Sequence, residues 1–158
     1  MEDAERRTLR TIADYQFRAG AGAALFPDGE AYAVDRSKSD RPRQVSTLEG
    51  ARLVSFGTDG RFTLGLAGGR RLLAALDAPA CRVVVGDESE PFVREGKNVF
   101  AKFVTDVDPA LRPGDEVAVV HEDGRPLAVG RAELDARAVL DFDAGMAVKV
   151  REGAGDAD

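Results

Sequence analysis

Tryptophan is absent from the 158 residues, cysteine and histidine occur once each, and only four of the 22 basic residues are lysine. The single cysteine, Cys81, excludes an intramolecular disulfide and any multi-cysteine zinc site. It sits in the apolar run Cys81-Arg82-Val83-Val84-Val85, where a small buried thiol is expected rather than a nucleophile. No apolar stretch approaches the roughly 18 residues that a membrane helix requires, and the charged opening Met1-Glu2-Asp3-Ala4-Glu5-Arg6 lacks the apolar core of a signal peptide. A soluble cytoplasmic protein with no membrane partner is the expectation. Gly65-Leu66-Ala67-Gly68-Gly69 has neither the dinucleotide glycine spacing nor the lysine of a phosphate loop, so no nucleotide cofactor is implied. His121 ends a strand beside Glu122 and Asp123 without a nucleophile motif or a second ligand, and is read as part of a surface turn. Asp141 and Asp143 flank Phe142 in what reads as an extended segment, and solvation explains them better than acid–base or metal chemistry. No catalytic residue, metal or cofactor is expected.

What is present is ordinary globular material. Hydrophobic residues make up 44% and charged residues 32%, enough apolar surface for a core under a very polar exterior. The net charge of −6 is unevenly placed. Residues 1–78 carry 12 basic against 11 acidic residues, residues 79–153 carry 10 against 15, and the end adds two aspartates. Acidity with arginine in large excess over lysine suits a high-salt cytoplasm, where the Debye length falls to about 3 Å at 1 M. Acidity is then a solvation adaptation and says little about partners.

Leu9, Ile12, Ala13, Gln16 and Phe17 recur at helical spacing, which predicts an amphipathic helix over 5–19, broken or kinked by Gly20-Ala21-Gly22, with Ala23-Ala24-Leu25-Phe26 read as one further helical turn. Between Ala31 and Leu66 the period falls to two, giving short strands around Val34, Val45, Leu53 and Phe62, with Gly57-Thr58-Asp59-Gly60 as a hairpin turn. A helix over 68–76 stops at Asp77-Ala78-Pro79, the best boundary in the chain. Beyond it come a strand over 82–85, a proline-led helix over 90–96, strands over 99–105, 116–121 and 127–134, and a last strand over 146–151. The organisation is α+β without a βαβ rhythm: a small α+β domain over 1–78, a nearly closed barrel with short helices over 79–152, and a flexible tail over 153–158.

The run Pro91-Phe92-Val93-Arg94-Glu95-Gly96-Lys97-Asn98-Val99-Phe100-Ala101-Lys102-Phe103-Val104, then Arg112-Pro113-Gly114-Asp115-Glu116-Val117, Leu127-Ala128-Val129-Gly130-Arg131-Ala132 and Gly145-Met146-Ala147-Val148-Lys149-Val150-Arg151, resembles the PUA pattern. Ile12-Ala13-Asp14-Tyr15-Gln16-Phe17 and Gly20-Ala21-Gly22-Ala23-Ala24-Leu25-Phe26 resemble the domain that precedes PUA in archaeal tRNA-guanine transglycosylases and archaeosine synthases. The resemblance covers nearly the whole chain and includes nothing of the TIM-barrel catalytic domain. It implies a PUA-type barrel that binds RNA, most specifically the tRNA acceptor stem and its 3′ CCA end, as a non-catalytic accessory to tRNA modification. The partner would be a transglycosylase or archaeosine-synthase subunit; a stand-alone PUA adaptor of the ribosome or translation is the alternative. Carried onto matching positions, the RNA-binding residues would be Phe92, Arg94, Gly96, Lys97, Asn98, Lys102, Gly130, Arg131, Lys149 and Arg151.

The residues themselves fit part of this. Lys97, Lys102 and Lys149 are three of the four lysines and fall in otherwise acidic sequence, where a compact ammonium suits phosphate. Gly96 reads as a helix terminator and also as a place for close backbone approach. Gly130 reads as a strand bulge or as phosphate-facing backbone. Arg36, Lys38, Arg41 and Arg43 surround Asp35 and Asp40 in what reads as a solvated basic loop over 36–43. Arg70 and Arg71 open a predicted helix, where positive charge opposes the dipole.

Overall fold

Asp3 and Glu5 in the first turn complement the dipole of the opening helix, α1 (Asp3–Gln16), whose Leu9 and Ala13 face the core. The helix stops short of the expected residue 19. Gln16 turns its side-chain amide onto Phe62, donating to the carbonyl at 2.8 Å and accepting from the amide at 2.7 Å, as a strand neighbour would. The glycines at 20 and 22 break the helix, and the expected further turn follows as a second short helix. Gly20 takes a left-handed φ of 98° and starts α2 (Ala21–Leu25), where Asp14 accepts from the Gly22 amide at 2.7 Å. A Cβ on Gly22 would overlap the backbone of Arg10, so the small residue lets the two helices touch.

The computed structural model describes residues 1–156 and separates the chain into two compact units, Met1–Leu76 and Asp77–Asp158. In the first, β1 (Tyr32–Arg36), β2 (Pro42–Thr47), β3 (Arg52–Phe56) and β4 (Phe62–Leu64) form an antiparallel meander in chain order. α3 (Leu66–Ala75) packs onto β3 through Gly65 and Gly68, where a Cβ would overlap the carbonyls of Arg52 and Leu53. That packing is the physical reason for the glycine-rich stretch. Leu9, Leu25, Phe26, Val45, Leu53, Phe62 and Leu72 are buried, with Phe26 meeting Tyr32 and Phe62 edge to face. The basic loop expected over 36–43 is the shorter turn of a hairpin, residues 37–41 lying between β1, which ends at Arg36, and β2, which starts at Pro42. Arg36 is held by both carboxylate oxygens of Glu5, at 2.8 and 3.0 Å, leaving Lys38, Arg41 and Arg43 exposed. Arg71 lies inside α3 and binds Glu30 and the Leu25 carbonyl, so its role is structural.

The second unit holds a mixed six-stranded sheet in the order β6-β10-β9-β8-β5-β7, curled into a nearly closed barrel. Its strands are β5 (Arg82–Val85), β6 (Val99–Phe100), β7 (Val104–Val107), β8 (Glu116–His121), β9 (Pro126–Ala132) and β10 (Met146–Gly153). β5 pairs parallel with β8, and the other ladders are antiparallel. Val83, Val85, Val93, Val99, Val119, Leu127 and Val148 are among the buried residues filling the interior. α4 (Glu90–Arg94) follows β5, and α5 (Ala136–Asp141), capped by Asp135 through the Ala138 amide, precedes β10.

Three expectations for this unit are corrected. The strand over 99–105 is interrupted by a 3-10 turn at Ala101–Phe103, and Asp141 ends a helix, so Asp141 and Asp143 share no extended segment. The flexible tail is also shorter than expected. β10 continues to Gly153, the Ala154 amide donates to Leu127 at 2.8 Å and the Gly155 amide to Arg94 at 2.9 Å, so the barrel claims these residues. Ala157 and Asp158 lie outside the described residues.

Candidate nucleic-acid interface

Pro91 in the first turn of α4 supplies a preset helical φ. Val93 and Arg94 are then turned inward while Phe92 stays 59% exposed. Gly96, with φ of 96°, closes the helix: its amide donates to Val93 and that of Lys97 to Phe92. The chain leaves toward β6 with Lys97 in solvent. Asn98 accepts from the Val150 amide at 3.0 Å, splicing this segment to β10 beside the register shift of the β9–β10 ladder between Val150 and Glu152. The 3-10 turn Ala101–Phe103, entered from the extended Phe100 at the end of β6, then carries Phe103 round to the same cleft as Phe100. A cleft of about 350 Å³ results, lined by the apolar Phe92, Val93, Phe100 and Phe103 and by the polar Glu88, Ser89, Lys97 and Asn98. Phe100 and Phe103 also wall an adjoining hollow that includes Lys102, Asp143 and Gly145, with the Lys102 ammonium 5.0 Å from the Phe103 ring centre.

The expected RNA residues therefore divide. Phe92, Lys97, Asn98 and Lys102 come together on the cleft and its neighbour. Arg94 does not: it is 8% exposed, binds Glu90 at 2.9 Å and carries the Gly155 amide on its carbonyl. Gly130 does not either, because it is buried with Lys149 directly behind it, and a Cβ there would overlap the Lys149 carbonyl. Close strand approach, not phosphate, explains that glycine. Arg151 is ion-paired with the buried Glu116, and Arg131 approaches Glu133 at 3.5 Å. Lys149 is exposed on β10 opposite Arg131. Among the described residues, Lys97, Lys102 and Lys149 make no ion pair.

Comparison with known proteins puts this cleft in context. Residues 7–79 match the family described as the patch-forming domain C2 of tRNA-guanine transglycosylase, and residues 81–154 match the PUA domain. The chain carries a C2 domain followed by a PUA domain. It is 48% identical over 146 residues to the tRNA-guanine(15) transglycosylase of Pyrococcus furiosus, covering 92% of this chain and 24% of the relative. With the enzyme of Methanothermobacter thermautotrophicus the identity is 42% over 154 residues, covering 97% and 23%. The chain thus spans about a quarter of the length of these curated relatives, in their C-terminal region. In fold it is similar to a hypothetical protein of Pyrococcus horikoshii (TM-score 0.72, 22% identity, 99% and 93% of the two chains). It is similar also to a conserved PUA domain protein of Thermoplasma acidophilum (TM-score 0.68, 23% identity, 99% and 93%).

Within the PUA domain, two features escaped the sequence reading. Phe100 and Phe103 belong to the matched run, yet a continuous strand would have sent them to opposite faces. Only the 3-10 turn brings both to the cleft. His121 is the second. It is 8% exposed rather than part of a surface turn, with Nε2 2.6 Å from Asp87 and Nδ1 3.1 Å from the Asp123 carboxylate. Asp87, Glu90 and His121 bring ligand atoms within 4.8 Å of one another. Both Glu90 oxygens are nevertheless taken by Arg125, at 2.9 and 3.0 Å, and one also by Arg94. These guanidiniums hold the Glu90 carboxyl below the usual range, so the group is an ion-pair network with its cations already supplied.

Proposed function

We propose that the chain is a non-catalytic RNA-binding protein of tRNA modification, and that the PUA cleft takes the unpaired 3′ CCA end of a tRNA while its lysines follow the acceptor-stem backbone. The observation that carries this is the cleft itself. Aromatic walls at Phe92, Phe100 and Phe103 offer surfaces to splayed bases, and Lys97 and Lys102 stand beside them without an ion pair among the described residues, although Glu88 and Asp143 line the same two hollows. Phosphate contacts of this kind position an RNA without reading its sequence, while stacking on unpaired bases supplies preference for a single-stranded end. The close relationship to one region of transglycosylases supports tRNA as the RNA.

The matched quarter of those relatives contributes binding, and chemistry then resides in a transglycosylase or archaeosine-synthase subunit acting on the same tRNA in the cytoplasm. The test is a titration of intact tRNA, CCA-trimmed tRNA and a plain RNA hairpin. Intact tRNA is expected to bind most tightly; equal affinity for intact and trimmed tRNA removes the acceptor-end assignment. Turnover of tRNA by the purified chain alone overturns the non-catalytic reading. A pulldown at native salt is expected to recover a tRNA-modifying subunit, and recovery of ribosomal subunits in its place supports an adaptor role in translation.

A further inference from the structure

Asp87 lies on the connection from β5 to α4, and among the described residues its one polar side-chain partner is His121, at the end of β8. The other ring nitrogen stands at a choice. Nδ1 is 3.1 Å from the Asp123 backbone amide and also 3.1 Å from the Asp123 carboxylate, in the β8–β9 turn. A neutral ring protonated on Nε2 donates to Asp87 and accepts from the amide. A charged ring donates from both nitrogens and must take the carboxylate instead.

The surroundings make the charged state matter. Glu90 and Arg94 face the ring from α4, Asp123 and Arg125 from the turn, and Glu122 folds over Gly86 on the connection. Arg125 is committed to Glu90 and Asp123, and Arg94 to Glu90, so neither serves Asp87. Without the second proton the ring keeps its Nε2–H bond to Asp87 but no longer holds the Asp123 carboxylate, and the bidentate Arg125–Glu90 pair remains as a side-chain tie between the turn and α4.

We propose that His121 is a proton-operated latch on α4: the imidazolium clamps Asp87 and Asp123 together and seats the helix that bears Phe92, and loss of its Nδ1 proton to solvent releases Asp123, weakens the hold on Asp87 and loosens the cleft. The latch regulates the binding site assigned above and rests on that assignment for its consequence in RNA affinity. Its midpoint lies above the ordinary histidine value near 6.5, raised first by the hydrogen bond to Asp87 and further by Asp123, against the effect of burial. Clamping is therefore complete in mild acid and lost as pH rises through that midpoint.

His121 is the sole histidine, so its ring resonances give one unobscured NMR titration. With the full chain, the expected result is a midpoint above 6.5 that is shared by the backbone amides of residues 87–98. Affinity for a tRNA transcript ending in CCA is expected to fall about three- to tenfold from below to above that midpoint, as a half- to one-unit shift between bound and free protein produces. His121→Gln flattens this dependence. Asp87→Asn keeps the titrating ring but removes its clasp, so the helix amides cease to follow it and affinity loses most of its pH dependence. The latch is overturned by helix amides that ignore the titration, or by Asp87→Asn retaining the full wild-type change in affinity, which would mark a plain charge effect. If the amides follow His121 but no tRNA binds at either pH, the latch stands and the assignment of the cleft to RNA fails.

Discussion

Lys97 and Arg94 stand three residues apart in the matched PUA run and do opposite things. The left-handed Gly96 delivers Lys97 to solvent, whereas Arg94 is drawn inward to Glu90 and supports the backbone at Gly155. Lys97→Glu is expected to weaken tRNA binding alike across sequences and to lower the salt dependence by about one phosphate contact, with the melting midpoint unchanged. The same reversal at Arg137, 92% exposed and paired only with Asp141, should change affinity little; equal losses at both positions would show a diffuse field and no cleft. Arg94→Gln should lower the melting midpoint, because it strips one cation from Glu90. Gly130→Ala belongs with Arg94. Its Cβ has no room before the Lys149 carbonyl, so overpacking of about 1–3 kcal/mol is expected, which is a fall of about 2–4 °C per kcal/mol at this chain length. A Gly130→Ala protein that melts normally but loses RNA would restore the phosphate-facing reading.

At the scale of elements, regular periodicity was legible and irregular backbone was not. The alternation in Tyr32–Leu64 and the valine runs of β5, β8 and β10 announced their strands, since burial on one face imposes the period. The 3-10 turn inside 99–107 carries no such mark, because Val99, Ala101 and Phe103 fit a strand equally well, and the cleft depends on that turn. α5 was missed for a similar reason: six residues are too few for a helical period to emerge. The turn of the 36–43 hairpin is closed locally between Ser37 and Arg41, and what the sequence hid there is distant, the pairing of Arg36 with Glu5 of α1. That pairing, and Arg71 with Glu30, predict a pH response. Hydrogen bonding to arginine holds both carboxyls below their ordinary 4.5. Folded-state values below the unfolded ones mean stabilisation that is complete above the unfolded value and lost as pH falls through the folded one. The melting midpoint should drop between about pH 6 and pH 3, and less steeply in Glu30→Gln; an unchanged profile in that variant would mean that the Arg71 pair contributes nothing.

Over the whole molecule, charge is arranged so that attraction at a distance cannot account for RNA binding. Residues 79–153 hold five more acidic than basic groups, and most guanidiniums of the PUA domain are spent on its own carboxylates. Outside those pairs stand Lys97, Lys102 and Lys149, with Arg112 in the turn before β8, none of which makes an ion pair among the described residues. An acidic shell of this kind is relieved by salt, whose screening length is about 3 Å at 1 M, and the melting midpoint should rise with KCl. The same counting limits counterion release. Two to four phosphates met by these cations give a slope of log affinity on log salt of about −2 to −4, at about 0.9 per duplex contact, against the much steeper loss of a protein with six to ten contacts. The remaining affinity must come from terms salt does not touch: bases laid against Phe92, Phe100 and Phe103, and recognition of shape and 2′-hydroxyls. Intact tRNA titrated at several KCl concentrations should follow the shallow line, and Phe92→Ala should lower affinity by a similar factor at every concentration while leaving the slope alone. A steep slope would require more phosphate contacts than the unpaired cations of the PUA domain can make, and would move the binding surface toward Lys38, Arg41 and Arg43 on the hairpin of the C2 domain, which are exposed and likewise make no ion pair among the described residues.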